Sequence, residues 1–78
     1  MPVVSVDQLN DCEKRSLSAA IQYFRRRRPE VTSIGSSEPV RNEDGRLHQV
    51  HFYSTEPKRR LSTVYIDKDG NPSGMDLR

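Results

Sequence analysis

The chain has 78 residues, of which 32% are hydrophobic and 31% are charged, and its formal net charge at pH 7 is +2. A chain this short forms one domain with a thin core, because a domain of about 60 residues buries only about 60% of the surface that its unfolded form exposes. The single cysteine, Cys12, excludes an internal disulfide. We therefore expect one domain over residues 1–78 whose stability does not depend on oxidation.

Targeting and membrane signals are not found in this sequence. No apolar run approaches the roughly 20 residues that span a bilayer. The N-terminal stretch lacks the charged, apolar and small-residue regions of a signal peptide. The sequence therefore predicts a cytoplasmic protein without a membrane partner.

The first predicted element is an amphipathic helix over about residues 6–27. Ser5 and Gln8 have the spacing of a capping box, which marks the start of a helix. The run Arg25–Arg28 places cations at the negative end of the helix dipole, and Pro29 then stops the helix. The apolar face follows helical spacing through Leu17, Ala20, Ile21 and Phe24.

Strands are predicted at about residues 31–41, 47–54 and 61–67, where apolar and polar residues alternate. Pro39 removes a ladder donor, so the first strand belongs at a sheet edge and the third at the other edge. Turn signals separate the strands, and the dense Asp67–Asn71 turn follows the third. The C-terminal tail, residues 73–78, either adds a short strand or frays.

Parity of the strand pairing predicts which side chains share a face. Pairing Phe52 with Val64 and Val50 with Ile66 makes an apolar face that the helix covers. The predicted fold is therefore α+β, with one N-terminal amphipathic helix packed on one face of an antiparallel β-meander of three strands, or four with the tail. The opposite face would carry Leu47, Gln49, His51, Tyr53, Leu61, Thr63 and Tyr65, of which Leu47, Tyr53, Leu61 and Tyr65 would form an exposed apolar-aromatic patch.

A helix followed by a meander, with Val64-Tyr65-Ile66-Asp67 running into a Gly-containing turn, resembles the PepSY type of small domain over about residues 17–74. The resemblance implies a binding or inhibitory module. Domains of that type are often exported, whereas this sequence is expected to be cytoplasmic.

Catalytic and metal-binding groupings are not predicted. Cys12 lies beside the apolar helical stripe, so we expect it to pack rather than to act as a nucleophile. His48 and His51 are three apart on a strand and point to opposite faces, which does not suit a shared metal ion. We therefore expect a non-enzymatic protein with no catalytic residues, no metal ligands and no cofactor.

The charge pattern contains two compact basic clusters, Arg25–Arg28 and Lys58–Arg60. An arginine-rich cluster suits bidentate contacts to carboxylate or phosphate. We take both clusters, together with three side chains of the uncovered sheet face, as candidate binding residues. The set is Arg25, Arg26, Arg27, Arg28, His51, Tyr53, Lys58, Arg59, Arg60 and Tyr65.

Two functions fit these features. The leading hypothesis is a protein-binding module, either an adaptor, an inhibitor or a regulatory protein, whose partner can be a second copy in a homodimer. The alternative is binding of RNA or another single-stranded nucleic acid, with tyrosines stacking on bases and arginines holding phosphates. The net charge of only +2 favours the first hypothesis.

Overall fold

The computed structural model describes residues 3–77, with Leu77 described by its backbone alone. A 3₁₀ turn at Val6–Gln8 precedes helix α1 (Asp11–Arg27). Four strands follow, β1 (Ser36–Arg41), β2 (Leu47–Tyr53), β3 (Arg60–Ile66) and β4 (Pro72–Leu77). They form one antiparallel sheet in the order β1-β2-β3-β4, which confirms the predicted α+β fold.

Helix α1 begins five residues later than predicted. The Ser5–Gln8 capping box is present, with Ser5 N donating to Gln8 Oε1 at 2.9 Å, but it caps only the 3₁₀ turn. Leu9 then adopts an extended conformation and buries its side chain in the core. A second box starts the helix, because Asn10 Oδ1 accepts from Glu13 N at 2.8 Å and Glu13 Oε1 accepts from Asn10 N at 3.0 Å.

The predicted apolar stripe of α1 packs on β2, β3 and β4. Leu17, Ala20 and Phe24 are buried. Phe24 stacks on Phe52 of β2 with ring centroids 5.0 Å apart. Burying each of these rings stabilises the fold by about 1.5–3 kcal/mol, so the contact is a main part of the core.

Strand β1 is shorter than the predicted 31–41. Val31 and Ile34 pack against the core instead of pairing in the sheet. Gly35 passes so close to the next hairpin that a Cβ on it would lie 2.6 Å from Thr55 Cα. The edge position predicted from Pro39 is confirmed, since β1 is the first strand in the sheet order. The N-terminal segment bridges part of this edge, with Val4 N donating to the Pro39 carbonyl at 3.0 Å.

The pairing of β2 with β3 differs from the prediction by two residues. Val50 pairs with Val64 and Phe52 pairs with Ser62, so the parity in the regular part of the pairing is as expected and Val50, Phe52 and Val64 stay on the helix side. The shift arises because the hairpin closes earlier, with Ser54 N donating to Arg59 O at 2.9 Å.

Leu47 was predicted on the uncovered face, and that prediction is wrong. The pairing Val40–Gln49 is followed by Arg41–Leu47, so His48 is an extra residue in a β-bulge. The bulge turns Leu47 to the helix side of the sheet, where it is 4% exposed and belongs to the core.

Leu61 also leaves the predicted apolar-aromatic patch. The pairing of β2 with β3 is irregular at Tyr53, which lies opposite Arg60, and the half-buried Leu61 packs against the core. The patch therefore loses both leucines, and of its four predicted members only Tyr53 and Tyr65 remain on the uncovered face.

The C-terminal tail forms a strand. Met75 of β4 pairs with Val64 of β3, so β3 is an inner strand and its predicted edge position is wrong. The sequence gives only a weak strand signal for β4, because the strand is short, has few apolar residues and directly follows a dense turn. Arg78, the last residue of the predicted tail, lies outside the described residues.

We predict that Leu47→Ala lowers the free energy of unfolding by about 2–4 kcal/mol, as expected for truncation of a core leucine. Urea unfolding followed by circular dichroism measures the loss. Val6→Ala serves as the control, since Val6 is 41% exposed and should change stability by less than about 0.5 kcal/mol. Equal effects of the two substitutions would contradict the bulge.

An ion pair fastens the start of α1 to the end of β1. Arg41 Nη2 lies 2.9 Å from Glu13 Oε1, and Arg41 Nε donates to Glu13 Oε2 at 3.1 Å. Arg41 Nη2 also donates to the Gln8 carbonyl at 3.1 Å. The hydrogen bonds from Arg41 hold the pKa of Glu13 below its ordinary value of 4.5.

We predict that Glu13→Gln lowers the free energy of unfolding at pH 7 by about 1–2 kcal/mol, because the charge-assisted bonds become neutral ones. A carboxyl group with a lowered folded pKa stabilises above its unfolded pKa, and this stability is lost as pH falls through the folded pKa. The two proteins should therefore converge in urea unfolding below pH 4.5. Glu43→Gln, in an exposed turn, is the control, and a gap independent of pH would exclude the charge as the cause.

Candidate functional site

The two basic clusters of the sequence meet at one end of the molecule. The C-terminal end of α1 lies beside the loop between β2 and β3, because Arg28 Nη1 donates to the Leu61 carbonyl and to Ser62 Oγ, both at 3.2 Å. We call this end the basic pole. It consists of Arg25, Arg26, Arg27, Arg28, Lys58, Arg59 and Arg60.

Arg28 is the anchor of the basic pole. It caps α1, with its backbone N–H donating to Phe24 O at 2.8 Å. Its Nε lies 2.6 Å from Glu30 Oε2, and its side chain is 20% exposed. The hydrogen bonds from Arg28 also lower the pKa of Glu30. The other six cations of the pole belong to exposed residues, so a partner in solution can reach them.

A groove of about 420 Å³ lies between the helix end and the β2–β3 loop. It combines the half-buried Arg28 and Leu61 with exposed loop residues. Arginines line it from two different elements, which sequence spacing alone does not reveal. Its lining consists of Arg28, Ser54, Glu56, Pro57, Arg59, Arg60 and Leu61.

Ser54 orders the loop that carries two of the cations, Lys58 and Arg59. Its backbone N donates to Arg59 O at 2.9 Å, and its Oγ accepts from Arg59 N at 3.1 Å. The same hydroxyl donates to the Pro57 carbonyl. The loop backbone is therefore held by internal hydrogen bonds, and less ordering is needed when its side chains meet a ligand.

Charge is divided unevenly over the molecule. The basic pole holds seven of the 13 Lys and Arg residues. Two of the 11 acids, Glu30 and Glu56, lie beside these cations, so this end of the molecule has a formal charge of +5. The rest of the chain carries −3. The modest net charge of +2 thus conceals a strong polarity. Such a field orients an approaching anionic partner.

Tyr53 connects the basic pole to the sheet face opposite α1, here called the open face. Lys58 Nζ lies 5.2 Å from the centre of the Tyr53 ring. Burial and a hydrogen bond with Glu38 raise the pKa of Tyr53, while Arg60 acts in the opposite direction. The tyrosine is therefore held between the pole and the first strand.

The rest of the open face carries a polar row across all four strands. Each residue of the row pairs with the next one on the neighbouring strand, in the order Glu38, His51, Thr63 and Asp76. His51 Nδ1 is 2.6 Å from Thr63 Oγ1, and the Tyr65 hydroxyl donates to Asp76 Oδ2 at 2.7 Å. His51 and Tyr65 are thus engaged with this row, and the structure does not bring Tyr65 to the basic pole.

A histidine beside a hydroxyl and a carboxylate raises the question of nucleophilic catalysis. Thr63 is only 1% exposed, so a substrate cannot reach its hydroxyl. The His51–Thr63 contact is best understood as cross-strand packing. Within residues 3–77, no group of three or more His, Cys, Asp or Glu side chains is arranged to hold a metal ion.

Cys12 was predicted to pack beside the helical stripe, and this is wrong, because the residue is exposed. With the helix starting at Asp11, Cys12 lies in the first turn of α1 and faces a second groove of about 370 Å³. This groove lies against the β3–β4 turn, at the end opposite the basic pole. It has mixed charge, with Arg15, Arg46 and Lys68 beside Asp67 and Asp69.

His48, the extra residue of the bulge, is half-buried, and its Nε2 has no hydrogen-bond partner within the described part of the chain. Burial, with a smaller contribution from Arg46, lowers the pKa of His48 below its ordinary value of 6.5. His48 therefore favours the neutral form in the folded protein. It lies apart from the candidate binding residues.

Comparisons with known proteins add no relatives, since the chain matches no protein-family model and has no significant match among curated proteins or solved structures. The resemblance to PepSY domains therefore stays a likeness of pattern. Neither helical element of residues 3–77 is long and apolar enough to cross a membrane. The candidate site thus consists of the basic pole, its groove and the adjoining Tyr53.

Proposed function

We propose that this protein is a small, non-enzymatic, cytoplasmic protein-binding module that binds an acidic protein surface through the basic pole and Tyr53. The observation that carries the proposal is the meeting of two basic clusters, more than 25 residues apart in the chain, around one groove. Charges that served solubility alone would not need to gather around one groove and an ordered loop.

The chemistry of the pole favours carboxylate ligands. Six of its seven cations are arginines, whose planar guanidinium groups bind carboxylates in a bidentate way. Exposed residues surround a half-buried anchor, so a partner meets a surface that is already organised. The contrast between the +5 pole and the formal charge of −3 on the rest of the chain supports fast and oriented association with an acidic partner.

The open face takes a smaller part in this proposal than its tyrosines indicated in the sequence. The loss of Leu47 and Leu61 from that face leaves little apolar area to bury in a homodimer. The Tyr65 hydroxyl already has a partner in Asp76. Tyr53 is the open-face residue best placed to extend the basic pole, because Lys58 and Arg60 lie beside it.

A polyglutamate peptide tests the proposal by isothermal titration calorimetry at low salt. Arg26→Gln combined with Arg59→Gln should weaken binding about tenfold, or about 1.4 kcal/mol, since each removes an exposed cation of the pole. The control is Arg15→Gln combined with Lys68→Gln, which removes the same charge at the opposite end and should change affinity less than about twofold. Equal losses in the two variants would mean that net charge, and not the pole, binds the peptide.

Nucleic-acid binding is the second candidate, and it is supported by the same seven cations beside the half-buried Tyr53. Against it, Glu38 and Asp76 lie on the open face where a strand would continue from the pole. In the same calorimetric assay, single-stranded oligouridylate should bind no better than polyglutamate of equal charge. Tighter binding of the oligonucleotide, lost in Tyr53→Leu, would make RNA the ligand instead.

A further inference from the structure

We infer that the groove of the basic pole is a site for a phosphate monoester carried on a side chain of the polypeptide partner. The inference rests on the proposed function and narrows it, from an acidic surface in general to a phosphorylated one. It is argued from the placement of three arginines, from the single acid in the described lining and from the charge of the neighbouring face.

Arginines reach the groove from both of its walls. Arg28 comes from the helix end, and Arg59 and Arg60 come from the loop and the start of β3. The Arg28 guanidinium is held by Glu30, the Leu61 carbonyl and Ser62 Oγ. A guanidinium fixed in this way loses little further entropy when an anion arrives.

The number of cations fits a dianion better than a carboxylate. A phosphate monoester carries a charge of about −1.5 to −2 at pH 7 and offers three acceptor oxygens, so it can contact several arginines at once. One carboxylate occupies one guanidinium fork. At about 420 Å³ the groove has room for a phosphorylated side chain, and the half-buried Leu61 gives its carbon stem an apolar contact.

A phosphorylated polypeptide fits this site better than a nucleic-acid strand. The groove gathers its cations at one place, as a single dianionic group requires, whereas a strand needs a track of cations along successive phosphates. Beyond Tyr53 the sheet carries the polar row, which begins with Glu38 and ends with Asp76. These carboxylates oppose the passage of a strand across the open face.

Glu56 allows a test in which binding becomes stronger. It is the only acidic side chain in the described lining of the groove, and it is exposed. Because a like charge repels a dianion more than a monoanion, Glu56→Gln should tighten binding of a phosphorylated ligand more than that of a carboxylate ligand. The residue lies in an exposed loop, so the substitution should leave the fold unchanged.

The experiment compares three versions of one short acidic peptide, with phosphoserine, glutamate or serine at a central position, by NMR titration of backbone amides. We expect the phosphoserine peptide to bind at least about tenfold more tightly than the glutamate peptide, with the largest shifts at Arg59 and Leu61. Arg59→Gln with Arg60→Gln should abolish this preference, and Glu56→Gln should increase it about threefold. Arg15→Gln with Lys68→Gln, matched in charge, should leave the preference unchanged.

Other outcomes would overturn the phosphate site alone or the proposed function with it. Equal binding of the phosphoserine and glutamate peptides, both reduced by the pole variant, removes the phosphate site and leaves the proposed function standing. Failure of all three peptides to bind overturns both. Inorganic phosphate binding as tightly as the phosphoserine peptide would mean that the ligand is a free anion rather than a modified polypeptide.

Discussion

The direction in which α1 lies across the sheet is fixed by hydrogen bonds near both of its ends. Ser16 Oγ donates to the Gly70 carbonyl of the β3–β4 turn at 2.7 Å, and Arg28 Nη1 reaches the Leu61 carbonyl where β3 begins. Between them, the stacked Phe24 and Phe52 rings fill the core. Because these contacts set the helix end against the β2–β3 loop, they create the basic pole.

This arrangement separates two sheet faces of different character. The helix side is apolar and closed, and the bulge at His48 adds Leu47 to it. The open face is completed by its own polar row, in which His51 meets Thr63 and Tyr65 meets Asp76. Because these polar groups bond to one another, the open face needs no covering element, and we propose the basic pole as the binding surface instead.

The sequence predicts the elements and the closed face well, because periodicity reports which residues are buried. It predicts the helix start poorly, since Ser5–Gln8 and Asn10–Glu13 are both valid capping boxes and the core burial of Leu9 decides between them. Bulges cannot be read from alternation, which is why Leu47 was placed on the wrong face. The seven cations and Tyr53 of the candidate site are among the predicted binding residues, whereas His51 and Tyr65 lie in the polar row of the open face. The groove could not be predicted, because it depends on long-range contacts of Arg28 that leave no local signal in the sequence.

The most direct test measures the distance between the two basic clusters by electron–electron double resonance, with nitroxide labels on Arg26→Cys and Lys58→Cys in a Cys12→Ser background. A second pair, Lys14→Cys with Lys58→Cys, gives the internal reference. Since α1 has 17 residues and is about 25 Å long, we expect a narrow distance distribution for the first pair, at a clearly shorter distance than for the second. Equal distances for the two pairs, or a broad distribution for the first, would contradict the convergence on which the proposed site depends.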